Sequence, residues 1–135
     1  MKLNEAFSLK GKVALITGAS KGIGEAIARY FAASGAAVVI NSRKQEELDK
    51  VAASIEEAGG ICTGIAGNAG DIESCKVLVN KTVDLYGGID ILVNNAATNP
   101  VYGPVVTCEE WAFDKIMNVN VKAPFELGKL VYPIM

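Results

Sequence analysis

An apolar segment of strand length, followed at once by a turn with three glycines, dominates the N-terminal part of the sequence. The run VALIT at residues 13–17 leads into GASKGIG at residues 18–24, and a helix-forming segment follows at residues 25–33. The first backbone amides of a helix lack intrahelical acceptors, and the helix dipole adds partial positive charge, so an anion is favoured there. Glycine lacks the Cβ that would hold a pyrophosphate away from those amides. The segment predicts the phosphate-binding turn of a nucleotide-binding α/β domain, and the alternative is an ordinary glycine-rich turn without a ligand.

The rest of the chain alternates short apolar runs with amphipathic segments. Strands are predicted at residues 12–17, 37–40, 61–66 and 90–93, and helices at residues 22–34, 45–58 and 71–85. A fourth helix is predicted after a capping box at Thr107-Cys108-Glu109-Glu110, and a fifth from Pro124 onward. Strands that alternate with helices favour parallel pairing with right-handed crossovers. The predicted fold is therefore an α/β, Rossmann-type, doubly wound parallel sheet. In a sheet of this type the four predicted strands would lie side by side in the order 3-2-1-4.

Composition and cysteine usage exclude several other classes of protein. Half of the residues are hydrophobic and the net charge is −2, which gives no electrostatic reason to expect nucleic acid or an anionic membrane as partner. There are three cysteines without a CxxC spacing and no histidine, so neither a metal site nor a disulfide framework is expected. No apolar run approaches the ~20 residues that span a bilayer, and residues 1–5 do not begin an export signal. A cytoplasmic protein with free thiols is predicted.

The residues that follow the second predicted strand indicate which nucleotide would fit. In NAD-selective Rossmann domains an acidic residue about 20 positions beyond the glycines binds the ribose hydroxyls, whereas an arginine accommodates a 2′-phosphate. Here the sequence is Asn41-Ser42-Arg43-Lys44, without a carboxylate. Arg43 can offer a planar fork, Ser42 a hydroxyl and Lys21 a second cation. NADP(H) is the predicted cofactor. The alternative is a solvated charge pair of Arg43 and Lys44, which the helix dipole disfavours at a helix start.

The glycine spacing resembles the TGxxxGIG motif of the short-chain dehydrogenase/reductase family. Two later segments are in register with it. Asn94-Asn95-Ala96-Ala97 resembles the NNAG motif, with Ala97 in place of the usual glycine, and Asn120 within MNVNV resembles the asparagine of the family's fourth helix. The resemblance extends from residue 11 to residue 135.

The resemblance implies a set of site residues. Asn68 and Ala69 stand where the family often has Asp-Val or Asn-Val beside the adenine. Asn120 is implied to act in catalysis, by helping to hold a water in the proton relay near the catalytic lysine. The implied cofactor-binding residues are Gly18, Ser20, Lys21, Gly22, Ile23, Gly24, Ser42, Arg43, Lys44, Asn68, Ala69, Asn95, Ala96 and Ala97.

The family's reaction is hydride transfer between a nicotinamide and a carbonyl or alcohol. A tyrosine acts as general acid/base, a lysine lowers its pKa, and a serine positions the substrate oxygen. No Tyr-x-x-x-Lys occurs in residues 1–135, and in the family these groups come later in the chain. We expect residues 1–135 to be the N-terminal dinucleotide-binding part of a single Rossmann domain, truncated before the fifth strand and inactive alone.

The expected partners are a small-molecule carbonyl or alcohol and further copies of the chain. In the family, the helices that begin near Trp111 and Pro124 form much of the contact in dimers and tetramers, which implies a homo-oligomer. The other hypothesis from the residues is a non-catalytic nucleotide-binding or subunit-interaction module.

Overall fold

Four β-strands alternate with α-helices in the computed structural model, which describes residues 3–135. Met1 and Lys2 lie outside the described residues. They belong to the segment of residues 1–5, for which the sequence predicts no export signal. The strands are β1 (Val13–Thr17), β2 (Ala37–Ser42), β3 (Ile61–Ala66) and β4 (Ile91–Val93). The helices are α1 (Leu3–Ala6), α2 (Gly22–Ala33), α3 (Gln45–Glu57), α4 (Ile72–Tyr86), α5 (Glu110–Met117) and α6 (Ala123–Val131).

All strand pairs are parallel, and the order across the sheet is β3-β2-β1-β4. In register, Leu15 of β1 lies beside Val39 of β2 and Leu92 of β4. This confirms the predicted α/β fold and the predicted strand order. The carboxyl ends of all four strands therefore lie at one edge, where open α/β sheets bind ligands.

Helices cover both faces of the sheet. Successive side chains of a strand point to opposite faces. Ile16 and Ile40 accordingly pack in a cluster with residues of α2 and α3, whereas Leu15 and Val39 pack with residues of α4 and α6. Every residue of β1 is buried, which explains why this strand reads as a continuous apolar run.

The end of the sequence departs from the prediction in two ways. The capping box predicted at Thr107 is wrong: the Thr107 hydroxyl donates to the carbonyl of Pro104 (2.8 Å) within a 3₁₀ turn, and α5 starts at Glu110 without a side-chain cap. A π-helical turn at Asn118–Lys122 then joins α5 to α6. Pro124 lies in the first turn of α6, within a continuous helical segment.

Candidate cofactor site

A crevice of ≈ 600 Å³ lies at the carboxyl ends of the strands. Its walls come from the turn between β1 and α2, the end of β2, the loops after β3 and β4, and the end of α5. Every residue implied by the family resemblance to bind the cofactor lines this crevice, except Gly22, Ile23 and Gly24. Those three belong to the first turn of α2.

The glycine turn is built for close backbone packing. Gly18 and Gly22 have φ values of +67° and +62°, in the left-handed region that favours glycine. A Cβ at Gly18 would lie 2.8 Å from the Cα of Ala96, and a Cβ at Gly24 would lie 2.5 Å from the carbonyl oxygen of Gly18. The N-cap residue of α2, Lys21, makes no side-chain cap hydrogen bond. The start of α2 therefore has the cradle and the free amides that an anion requires.

Asn95 holds the loop after β4 against this turn. Its Nδ2 donates to the carbonyl oxygens of Thr17 and Gly18, each at 3.0 Å. In return, the Thr17 hydroxyl accepts from the backbone amides of Asn95 (3.2 Å) and Ala96 (3.1 Å). Thr17 was not predicted as a site residue, although a polar residue at the end of a buried strand, next to the glycine turn, indicates such a role.

The end of β2 carries groups that suit a phosphate. The Ser42 hydroxyl oxygen is buried and has no hydrogen-bond partner among residues 3–135. The exposed side chains of Arg43 and Lys21 line the same crevice, and neither forms a salt bridge with a described residue. A buried hydroxyl without a partner is costly, so an acceptor supplied by a ligand would stabilise it. The residues present therefore fit a nucleotide with a 2′-phosphate.

Lys44 differs from the other two cations because it has an internal partner. Its Nζ lies 3.3 Å from Oε1 of Glu47, one turn further along α3. The hydrogen bond from Lys44 lowers the pKa of Glu47, and the Ser20 side chain and the positive charge of Lys21 add to this effect. Glu47 lines the crevice and was not anticipated from the sequence.

Asn41 fixes the loop after β3. Its Nδ2 donates to the carbonyls of Ile65 (2.9 Å) and Gly67 (3.3 Å), while its buried Oδ1 has no hydrogen-bond partner in the described part of the chain. From the other side, Nδ2 of Asn118 donates to the carbonyl of Gly70 (2.8 Å). The segment with Asn68 and Ala69 is thus held at both ends. Neither Asn41 nor Asn118 was expected to have this role.

Asn120 lies in the π-helical turn and does not line the crevice directly. Its Oδ1 accepts from the backbone amide of Thr98 (2.8 Å), and its Nδ2 donates to the Thr98 carbonyl (2.9 Å). Thr98 itself lines the crevice. The side chain of Asn120 therefore positions the loop after β4, and its implied part in the proton relay stays a prediction.

The cysteine, aspartate and glutamate side chains of residues 3–135 do not form any group of three or more that could hold a metal ion. No helix from Leu3 onward has both the length and the apolar character needed to cross a bilayer.

A parallel sheet with this strand order, and with a glycine turn at the carboxyl end of β1, defines a dinucleotide-binding α/β protein. The family model for short chain dehydrogenases matches residues 12–135. The chain belongs to this family.

Similar proteins agree with this assignment. Dehydrogenase/reductase SDR family member 4 from Sus scrofa and its counterpart from Homo sapiens are each 46% identical over 127 residues, covering 94% of this chain and 46% of theirs. A metagenomic short-chain oxidoreductase in complex with NADP superposes with a TM-score of 0.89 at 37% identity, over 94% of this chain and 57% of that one. A dehydrogenase/reductase from Sinorhizobium meliloti 1021 superposes with a TM-score of 0.91 at 36% identity, over 98% of this chain and 53% of that one. The chain spans about half the length of the curated relatives it matches.

Proposed function

We propose that residues 1–135 form the N-terminal dinucleotide-binding part of an NADP(H)-dependent oxidoreductase, which transfers a hydride between the nicotinamide and a carbonyl or alcohol. The observation that carries this proposal is the phosphate-compatible end of β2. There the buried Ser42 hydroxyl, which has no hydrogen-bond partner within residues 3–135, lines the same crevice as Arg43 and Lys21, and neither cation forms a salt bridge in the described part of the chain. Two similar solved structures are described as complexes with NADP and NADPH, which supports the same cofactor.

Each wall of the crevice has a role in this proposal. The start of α2, with Gly18 to Gly24, binds the pyrophosphate through backbone amides. Ser42, Arg43 and Lys44 bind the 2′-phosphate, with Lys21 as an additional cation. Asn68 and Ala69 lie beside the adenine. Asn95, Ala96 and Ala97 bind the cofactor at the end of β4.

When bound, the nicotinamide would donate or accept the hydride, and the residues of this chain would bind and orient the cofactor. Asn120 positions the Thr98 loop and helps to hold the water of the proton relay. The tyrosine, lysine and serine of the family reaction come from a later part of the protein, so residues 1–135 alone are expected to bind nucleotide without turnover. The proposed location is the cytoplasm, where the free thiols of Cys62, Cys75 and Cys108 would stay reduced.

A second copy of the chain is the proposed macromolecular partner. Phe113, Met117, Val121 and Phe125 recur every four residues along α5, the π turn and α6, and they are 58%, 41%, 53% and 62% exposed. An exposed apolar surface of this kind is typical of an interaction site. The stripe lies on the helices through which members of this family are expected to associate.

The experiment that tests the proposal combines nucleotide binding with turnover. NADPH is titrated into the purified protein, and NADPH oxidation is followed on a panel of aldehydes and ketones. In parallel, the coding sequence downstream of the Met135 codon is read for a serine-bearing strand followed by Tyr-x-x-x-Lys. The proposal expects NADPH binding by this chain, and turnover in a protein that includes those groups. Binding without turnover in that longer protein would favour the non-catalytic module.

A further inference from the structure

Glu47 places a carboxylate among the cations of the crevice. It is the third residue of α3, and its side chain reaches back to within 3.3 Å of the Lys44 ammonium. Among the described residues that line the crevice, Glu47 is the only one with a carboxylate. Arg43 and Lys21 line the same crevice.

This carboxylate is ionised at neutral pH. The hydrogen bond from Lys44 lowers the pKa of Glu47, with smaller contributions in the same direction from Ser20 and Lys21. A negative charge near the start of α3 also interacts favourably with the helix dipole. A 2′-phosphate that approaches Lys44 is therefore repelled by the Glu47 carboxylate, which is already paired with this cation.

We propose that Glu47 is a specificity-determining residue that weakens the preference of the site for NADP(H) over NAD(H). The inference rests on the proposed function, because it assigns the 2′-phosphate to this part of the crevice. A 2′-phosphate that binds Lys44 must share this cation with Glu47 or displace the Glu47 carboxylate, and two anions on one cation repel each other. NAD(H) carries a neutral hydroxyl at this position and avoids most of that repulsion.

Neutralising Glu47 without changing its size tests this inference. Dissociation constants for NADPH and NADH are measured by titration for the wild type, Glu47→Gln and Glu46→Gln. Glu46 is a matched control: it is exposed on the same turn of α3, the substitution removes the same charge, and the residue does not line the crevice within the described structure. A thermal melt of each variant checks that the fold is intact.

We expect Glu47→Gln to bind NADPH about two- to fivefold more tightly, the scale of a partly exposed charge interaction. NADH binding should change by less than twofold, and Glu46→Gln should change NADPH binding by less than twofold. An unchanged or weaker NADPH affinity in Glu47→Gln overturns the inference, and so does an equal gain in Glu46→Gln. In either case, NADPH binding by the wild type leaves the proposed function standing. If the wild type and Glu47→Gln both fail to bind NADPH, the proposed function and the inference are overturned together.

Discussion

Asn120 and Thr98 are joined by two hydrogen bonds in which the side-chain amide of Asn120 mimics a backbone partner. Its Oδ1 accepts from the Thr98 amide at 2.8 Å, and its Nδ2 donates to the Thr98 carbonyl at 2.9 Å. Asn120 lies in the π-helical turn between α5 and α6, whereas Thr98 lines the crevice. The pair thus connects the helical segment to the loop that bounds the cofactor site.

Removing this amide should destabilise the protein. Asn120→Ala leaves the Thr98 amide and carbonyl without their partner, so we expect a loss of about 1–3 kcal/mol in the free energy of unfolding. Urea denaturation measures it. Asn99→Ala is the control, since Asn99 is exposed and its side chain makes no hydrogen bond within residues 3–135; its effect should stay within about 0.5 kcal/mol. Equal effects of the two substitutions would show that the Asn120 pair adds nothing.

Gly24→Ala should damage the phosphate-binding turn. The added Cβ would lie 2.5 Å from the Gly18 carbonyl oxygen and 2.5 Å from Nδ2 of Asn95, and backbone cannot yield as a flexible side chain does. We expect a destabilisation of about 1–3 kcal/mol and a loss of NADPH binding in titration. Gly128→Ala serves as the contrast, because a Cβ there meets no described atom within 4 Å outside its own stretch of helix, and alanine should stabilise α6 by about 0.5–1 kcal/mol. A Gly24→Ala variant that binds NADPH normally would contradict this description of the turn.

The three cysteines should differ sharply in reactivity. Burial raises the pKa of Cys62 to about 12 and also raises the pKa of Cys75, and only 3% and 1% of these residues are exposed. At pH 8 their reactive thiolate is scarce because the pH lies well below the raised pKa values. Cys108 is half-buried. A disulfide reagent should therefore titrate one thiol rapidly and the other two only after unfolding. Cys108→Ser should remove the rapid phase, and its persistence would place the reactive thiol elsewhere.

Disrupting the apolar stripe should dissociate the proposed oligomer. Phe125→Glu places a charge in the stripe, and a charge without a partner is costly to bury at an interface. Sedimentation velocity should show a shift toward monomer. Val77→Glu is the control, as Val77 is 50% exposed on α4, a helix that carries no residue of the stripe. A monomeric wild type, or equal dissociation by both substitutions, would contradict the proposed interface.

Local patterns were sufficient to predict most of the fold. The boundaries of β3 agree with the prediction, and β1, α2 and α3 agree to within one residue, because buried strands and amphipathic helices carry their own periodicity. The predicted capping box failed because the Thr107 hydroxyl donates to the carbonyl of Pro104, which lies before the four-residue pattern. The short α1 gave no periodic signal.

The site was predicted less completely, since its support depends on contacts between distant residues. The hydrogen bond between the Thr17 hydroxyl and the Asn95 amide joins residues 78 positions apart. Asn41 and Asn118 fix the loop after β3 through similarly long-range contacts. Glu47 enters the crevice because α3 begins at Gln45, which places its side chain one turn beyond Lys44. The long-range partners are not visible from local sequence, whereas Lys44 and Glu47 are only three positions apart and their pairing could have been predicted.

The discrimination between NADPH and NADH by Arg43→Ala tests the central claim most directly. Arg43 lines the crevice without an ion pair to any described residue, so its proposed role is a charge-assisted hydrogen bond to the 2′-phosphate. Dissociation constants of both nucleotides are measured for the wild type, for Arg43→Ala and for Lys50→Ala, which removes an exposed positive charge on α3 outside the crevice lining. We predict that Arg43→Ala loses about 1.5–3 kcal/mol of NADPH binding while NADH binding barely changes and Lys50→Ala behaves like the wild type. Equal losses for NADPH and NADH, or no loss for either, would contradict the assignment of this crevice to NADP(H).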